Sequence, residues 1–591
     1  MPTCPIMTTQ TSKNFLTIVV KKYFERVAIR MRAGEGNGYD VRTFGDLGDE
    51  VSKVSGFLCS LKLKKGDKVG IYGENCPQWC CAYLATVVTG FVIVPIDAML
   101  GEEDAVPIIE DSDLTVLFFS KRHADKISAI RKRCTKVRCF IGWDIPEDAA
   151  GKVRSYEGIL EHEYSARKDA EDDISPDDAA ALIYTSGTTG FAKGVMLSHR
   201  NIITNVNASI QSLPIDENDV FMTVLPLHHT YPATCSFISP LVTGGSSTIA
   251  ESLAGKKIIA NITETGGTIL IGVPLLYDKM KQGMQIRFRE LSLSKRTALK
   301  LLTAVSGFLT KYVKVKAGKT LLRSLRKQAG LESLRLLVAG GGPLNPDTAE
   351  FFEALGFNIV QGYGTSENSP LIAVNTVRYN NHQSVGLPVK YTEIRIDHPN
   401  EEGIGEIIVK SPSVMMGYFK KPEITMETIT EDGGQRTGDL GMFDRKGFLY
   451  ITGRIKNLIV TSGGKNIYPE EIELKFGESE VIGEVLVFGR RESEKNRAEE
   501  VFAVCVPHYE ILSGLYDKSE LTDDFVGELV KREIVKVNRT LPGYKRIRNF
   551  TIRKEEFEKT SSRKIKRYLY LGYANADTAA TSDTLSKEAG T

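Results

Sequence analysis

A chain of 591 residues is too long for one compact core, so at least two domains are predicted. Its 76 Lys and Arg against 74 Asp and Glu leave a net charge of +2, which argues against a general polyanion or nucleic-acid binder while allowing local patches. With 42% hydrophobic and 25% charged residues, the composition is that of an ordinary soluble globular protein.

The opening residues, MPTCPIMTTQTSKNF, lack a basic segment followed by a long apolar stretch, so no signal peptide is predicted. The nine cysteines are an odd number without CxxC pairs or histidines at zinc spacing, and read as reduced thiols of a cytoplasmic chain. From Thr43 the pattern predicts an amphipathic helix (44–61), a Lys-Lys-Gly-Asp turn (64–67), a strand (68–72), a helix (79–89) and a strand (91–96). Such alternation predicts a parallel sheet with helices on both faces. It resumes with apolar runs at 220–225, 247–249, 267–273, 334–339 and 358–361, several ending in small or polar residues. Open α/β sheets bind ligands beyond the carboxyl ends of their strands. No run reaches the ~20 apolar residues that span a bilayer, and 301–309 is far too short.

After Gly386 the texture changes to short strands with Gly-rich turns, at 393–396, 405–410, 441–443 and 448–451, predicting a small β subdomain. Arg454-Ile455-Lys456-Asn457 opens a last unit with its own strands (484–489, 500–506) and a helix (524–539). The expected division is therefore 1–453, with a basic insertion at about 279–330, then 454–570, then a small polar tail, 571–591, that reads as disordered.

Five motifs carry chemistry. Thr185, Ser186, Gly187, Thr188, Thr189, Gly190 and Lys193 lie in TSGTTGFAKG, directly after the apolar run 179–184. Glycines let backbone N–H groups face an anion, and hydroxyls and an ammonium add donors, so the loop reads as a phosphate cradle; a flexible hairpin is the plainer alternative. It is not a Walker A loop, because Gly194 rather than Ser or Thr follows Lys193. Gly340, Gly341 and Gly342 follow the 334–339 run and permit close backbone approach, either to a ligand or for packing of sheet on helix. Gly362, Tyr363, Gly364, Thr365, Ser366 and Glu367 set a ring, hydroxyls and a carboxylate on one strand-end loop; the alternative is a turn whose Glu faces water. His228 and His229 follow the 220–225 run, and two neighbours on an extended chain cannot point the same way. Thr437-Gly438-Asp439 reads as a tight turn whose Asp suits a diol, and Arg454 offers a planar donor fork; singly, both are commonplace.

TSGTTGFAKGVMLSH, with the Tyr363 to Glu367 motif, resembles the adenylate-forming (AMP-binding) synthetase superfamily and, within it, the long-chain acyl-CoA synthetases, over residues 43–570. The resemblance implies doubly wound α/β subdomains with a small β-barrel subdomain in the large domain, and a mobile α+β C-terminal domain. It implies ATP and CoA as co-substrates, Mg2+ at Glu367, and a fatty acid as the group activated; transfer to an acyl carrier protein and a non-catalytic sensor remain as alternatives. It places Tyr363 and Gly340 to Gly342 at adenine, Asp439 and Arg454 at the ribose, His229 near the carboxylate, and Lys456 at a hinge. Gly463 and Gly464 would line the CoA channel. The closing element aligns Thr560, Ser562, Lys564, Ile565 and Arg567, making Lys564 the catalytic lysine. Arg563 stands where glycine is usual, with Lys566 the fallback, and a solvated charge run is the default for so basic a segment.

Between residues 279 and 327 there are fourteen Lys or Arg and one acidic residue, Glu290, mixed with Leu, Phe, Val and Ile. Composition alone fits equally a pair of solvated helices or a surface that lies on an anionic membrane.

Overall fold

The computed structural model describes residues 11–34, 38–147, 152–164, 174–185, 192–313, 315–461, 465–477, 479–491, 499–517, 519–560, 564–570 and 572. The chain divides into two compact units, residues 1–394 with 408–436, and residues 395–407 with 437–591.

The first unit is built on two mixed sheets. In the nine-stranded sheet, six neighbouring parallel strands run in the order Asn358–Gly364, Leu336–Ala339, Ile269–Gly272, Val220–Thr223, Ser246–Ile249 and Val27–Arg32. Antiparallel strands flank them: Tyr39–Thr43 on one side, Leu371–Val374 and Leu387–Pro388 on the other. The eight-stranded sheet has six parallel strands, Ala179–Thr185, Val92–Ile96, Lys68–Tyr72, Leu114–Ser120, Cys139–Trp143 and Val153–Ser155. Antiparallel Lys193–Ser198 and Gly417–Tyr418 extend it. Buried on both faces, its central strands are continuous apolar runs, as in Val92–Ile96, where all five residues are buried.

Helices fill the space between and outside the sheets. Phe44–Ser60 starts at a capping box in which Thr43 Oγ1 accepts from Asp46 N at 3.0 Å and Asp46 Oδ2 accepts from Thr43 N at 2.9 Å. It buries Phe44, Leu47, Val51, Val54 and Leu58 at helical spacing. Pro77 opens Pro77–Val88, and Ser198 with Asn201 form the box that starts His199–Ser212. These helices share one core with Ile29 and Ile249 of the first sheet and Val69, Ile93 and Ile183 of the second. The other face of the nine-stranded sheet is covered by a second core that includes Tyr277 and Phe352. Helices Glu102–Asp111 and Ala124–Arg133 cover the outer face of the eight-stranded sheet.

The second unit contains most of a sheet in the order Glu393–Asp397, Gly405–Lys410, Gln435–Phe443 and Leu449–Arg454. It continues into a three-stranded sheet of Ile482–Arg491, Glu499–Pro507 and Asn549–Ile552. Helix Asp523–Arg539 buries Val526, Val530, Ile534 and Val537 on one face of that sheet, and Phe557 and Tyr570 join the core on the other. Among the described residues no helix is long and apolar enough to cross a membrane.

Candidate active site

In the first unit the motif loops leave the carboxyl ends of parallel strands, the end at which open α/β sheets bind ligands. Strand Ala179–Thr185 returns as Lys193–Ser198, with Thr185 paired to Lys193 across the hairpin. Ser186, Gly187, Thr188, Thr189 and Gly190 lie outside the described residues. The Lys193 ammonium stands 5.3 Å from the centroid of the Tyr418 ring. Tyr418 donates its hydroxyl to Glu367 Oε1 at 2.8 Å, and Met415 N donates to the Glu367 carbonyl at 2.7 Å. The loop lysine and the motif carboxylate are therefore joined through one phenol. Burial and the Glu367 charge together raise the Tyr418 pKa, so the phenol stays protonated and remains the donor.

Tyr418 carried no signal in the sequence, because it sits in a two-residue strand, Gly417–Tyr418, whose partner is Val195 and Met196 of the hairpin. Glu367 itself lies in a short 3₁₀ turn, Ser366–Asn368, just past strand Asn358–Gly364. Gly364 is forced by close approach, since a Cβ there would meet Pro370 O at 2.0 Å. Gln435 Nε2 donates to Thr365 Oγ1 at 2.9 Å and fixes the start of the turn.

The His228-His229 segment is a turn and not an extended strand, and this corrects the expectation that neighbouring rings diverge. Their rings lie 4.1 Å apart, tilted by 48°. His228 is buried, and burial lowers its pKa to about 3, so the imidazole is neutral beside Asp97 Oδ2 at 3.5 Å. His229 is only partly buried. Thr230 Oγ1 lies 3.4 Å from Ser366 Oγ, which brings the histidine motif against the Glu367 turn. Tyr231 reaches the glycine run: a Cβ at Gly340 would lie 2.7 Å from its ring, and its hydroxyl donates to Val338 O at 3.1 Å. Close packing thus accounts for Gly340. Gly341 has φ of +83°, which favours glycine, while Gly342 would meet nothing closer than Pro274 at 3.8 Å. The structure thus assembles Lys193, His229, the three glycines, and the Tyr363 to Glu367 loop within one unit.

In the second unit Asp439 and Arg454 are register partners on adjacent strands, and Arg454 Nε donates to Asp439 Oδ1 at 2.9 Å. Thr437-Gly438-Asp439 is not the predicted tight turn but the middle of strand Gln435–Phe443, locally distorted where Gly438 takes φ of +70°. Lys456 is exposed in a 3₁₀ turn, Ile455–Asn457. Strand Ile459–Val460 pairs antiparallel with Asn466–Ile467, and Gly463 and Gly464 lie outside the described residues.

The basic segment near the end is a second hairpin. Lys559 bridges Ile565, Thr560 N donates to Lys564 O at 2.8 Å, and Lys564 N donates to Thr560 Oγ1 at 3.2 Å. Ser561, Ser562 and Arg563 are outside the described residues. The charges are not one solvated run. Arg567 grips half-buried Glu473 with two bonds of 2.7 and 2.9 Å and donates to Val487 O, and Lys559 pairs with Glu484 and Glu556. Lys566 pairs with Glu558 at 3.8 Å, and Lys564 is exposed.

Comparison with known proteins identifies the family and the fold. The model of the AMP-binding enzyme family matches residues 17–419. The long-chain-fatty-acid–CoA ligase heimdall of Drosophila melanogaster is 28% identical over 81% of this chain and 74% of its own length. The long-chain-fatty-acid–CoA ligase ACSBG2 of Rattus norvegicus is 28% identical over 74% and 69%. The crystal structure of the anthranilate CoA ligase AuaEII in complex with anthranoyl-AMP superposes with a TM-score of 0.75 at 19% identity, covering 96% of this chain and 98% of that one, and shows a shared fold. With the family model covering well over half of the chain, and the strand-end loops disposed as described, this protein belongs to the AMP-binding enzyme family.

Proposed function

We propose that the enzyme joins a long-chain fatty acid to CoA in two half-reactions. In the first, a fatty carboxylate oxygen attacks the α-phosphorus of ATP, the bond to the bridging oxygen of the β-phosphate breaks, and acyl-adenylate and pyrophosphate form. In the second, the CoA sulfur attacks the acyl carbon, its proton is lost, and AMP leaves with the electron pair of the mixed anhydride. The observation that carries this reading is the Lys193, Tyr418 and Glu367 chain, which sets an ammonium and an oriented carboxylate beside a loop rich in hydroxyls and glycines.

The loop of Thr185, Ser186, Thr188, Thr189 and Lys193 holds the β- and γ-phosphates. Tyr363 lies along the adenine, with Gly341 and Gly342 leaving room at its edge, and Asp439 and Arg454 bind the ribose. His229 orients the fatty carboxylate. A hard cation such as Mg2+ fits Glu367, a single carboxylate beside a phosphate loop, because this ion is commonly bound by one or two carboxylates and substrate phosphates. When bound, it neutralises phosphate charge. Lys564 covers the reacting centre during adenylation, and rotation about Lys456 then withdraws it and admits the CoA thiol past Gly463 and Gly464. The fatty acid and CoA are supported by what the relatives' names say they act on. A fatty substrate also suits a position peripheral to a membrane, facing the cytoplasm. Pyrophosphate release from ATP, scored over acetate, aryl acids and fatty acids of increasing length, with CoA or an acyl carrier protein as acceptor, tests the reading. Release that depends on long-chain acids and thioester formed on CoA are expected, and release without a preference for fatty acids contradicts it.

A further inference from the structure

Helix Leu293–Phe308 is turned inside out. Helices of globular proteins face their apolar stripe to the core, yet here Leu301, Val305 and Phe308 are 65%, 43% and 58% exposed, and Tyr312 in the following turn is 68% exposed. Their spacing of four, three and four residues places them on one face. The stripe from Leu301 to Tyr312 runs for about 16 Å, and Leu293, 81% exposed, stands about a quarter-turn from it at the start of the helix. The opposite face carries one large apolar residue, Leu299, which it buries with Ser306, and the Cβ that Gly307 lacks would stand 3.7 Å from that of Ala354. The sequence thus packs this helix through its weaker face and leaves its stronger one outside. The Phe308 and Tyr312 rings lie 5.0 Å apart, and Val313 and Val315, each 53% exposed, extend the apolar surface.

We infer that this stripe docks on the surface of an anionic lipid bilayer, the helix lying in the plane of the headgroups. Charge selects the occupant. Lys295 and Lys300 flank the stripe on the same helix, and Arg287, Lys319 and Lys327 of the neighbouring helices are exposed, in a segment where fourteen Lys and Arg accompany a single acidic residue. A second copy meeting this face about a two-fold axis would set like charges against one another. A bilayer with acidic headgroups instead receives the apolar side chains into the acyl boundary while the long basic side chains reach up to phosphate and carboxylate. The inference stands on this surface alone and does not require the proposed reaction.

The test is sedimentation of the full chain, without ATP or fatty acid, with vesicles of phosphatidylcholine alone or mixed with phosphatidylserine. Binding is expected only to the mixed vesicles, at low salt, and weakened at high salt. Leu301→Ser with Phe308→Ser and Tyr312→Ser, and separately Lys295→Glu with Lys300→Glu and Lys319→Glu, are each expected to lower partitioning by about tenfold or more, with unchanged melting temperature because these side chains are exposed. No binding at low salt overturns the inference. So do a serine variant that binds as well as the parent, a stripe-dependent dimer in sedimentation equilibrium, and binding to polyglutamate without binding to vesicles.

Discussion

Replacing Tyr418 by Phe removes one hydroxyl from the middle of the candidate site and leaves the rest of the side chain in place. The ring still faces Lys193, because the 5.3 Å contact involves the π face and not the oxygen. What is lost is the donor to Glu367 Oε1 at 2.8 Å. A hydrogen bond to a charged acceptor contributes about 1.5–3 kcal/mol, and Glu367 is only half-buried, so water replaces part of the bond and the lower figure applies. That is about a tenfold fall in kcat/KM for ATP if Glu367 must be held in one orientation to act on the triphosphate. Fatty-acid-dependent pyrophosphate release measures the rate, and a urea titration of the same variant measures stability. The stability change is expected to stay below about 1 kcal/mol, because the hydrated carboxylate is not left stranded. Wild-type kcat/KM for ATP in Tyr418→Phe would refute the argument that the phenol positions Glu367.

Lys564→Ala is expected to lower adenylation by about 10²-fold or more while sparing thioester formation from supplied acyl-adenylate, whereas Lys566→Ala, which removes only a partner of Glu558, stays near wild type; rapid-quench assays of each half-reaction separate these outcomes. Gly340→Ala drives a methyl into the Tyr231 ring and is expected to cost about 1–3 kcal/mol in urea unfolding, a loss that Tyr231→Ala in the same chain makes smaller than the sum of the single changes. Burial lowers the pKa of His199 to about 4 and that of His228 to about 3. Both imidazoles are neutral when folded and protonate near 6.5 when unfolded, so the unfolded state binds more protons as pH falls from about 6.5 toward 4. Stability is then present above pH 6.5 and lost by up to about 1.4 kcal/mol per histidine for each pH unit below it. A urea midpoint flat between pH 6.5 and 5 would contradict the burial.

The parallel strands were legible because buried runs bounded by turns leave a clear trace. Lys68–Tyr72 falls where the alternation predicts it, Gly405–Lys410 where the change to short Gly-bounded strands does, and helix Phe44–Ser60 where the amphipathic pattern does. The strand-end loops were legible from their glycines, hydroxyls and charges, while the roles of their residues came from the resemblance. What joins them was not. Tyr418 belongs to a strand too short for any periodicity, and Tyr231 packs on Gly340 across more than a hundred residues of chain. Gly438 was read as a turn because glycine at a positive φ serves a strand distortion as well as a turn. The basic insertion shows the limit most clearly. Its charge is visible in the sequence, but which face of Leu293–Phe308 meets the protein depends on what Pro346–Ala354 offers it.

The central claim is that a carboxylate is joined to AMP before it meets a thiol. Mass spectrometry of the enzyme quenched after incubation with MgATP and a long-chain fatty acid, without CoA, tests it most directly. The account predicts fatty acyl-adenylate in the quenched sample, which disappears when CoA is added as AMP and acyl-CoA appear in equal amounts. Acyl-CoA formed with ADP and phosphate as products, and no adenylate at any time, would contradict it.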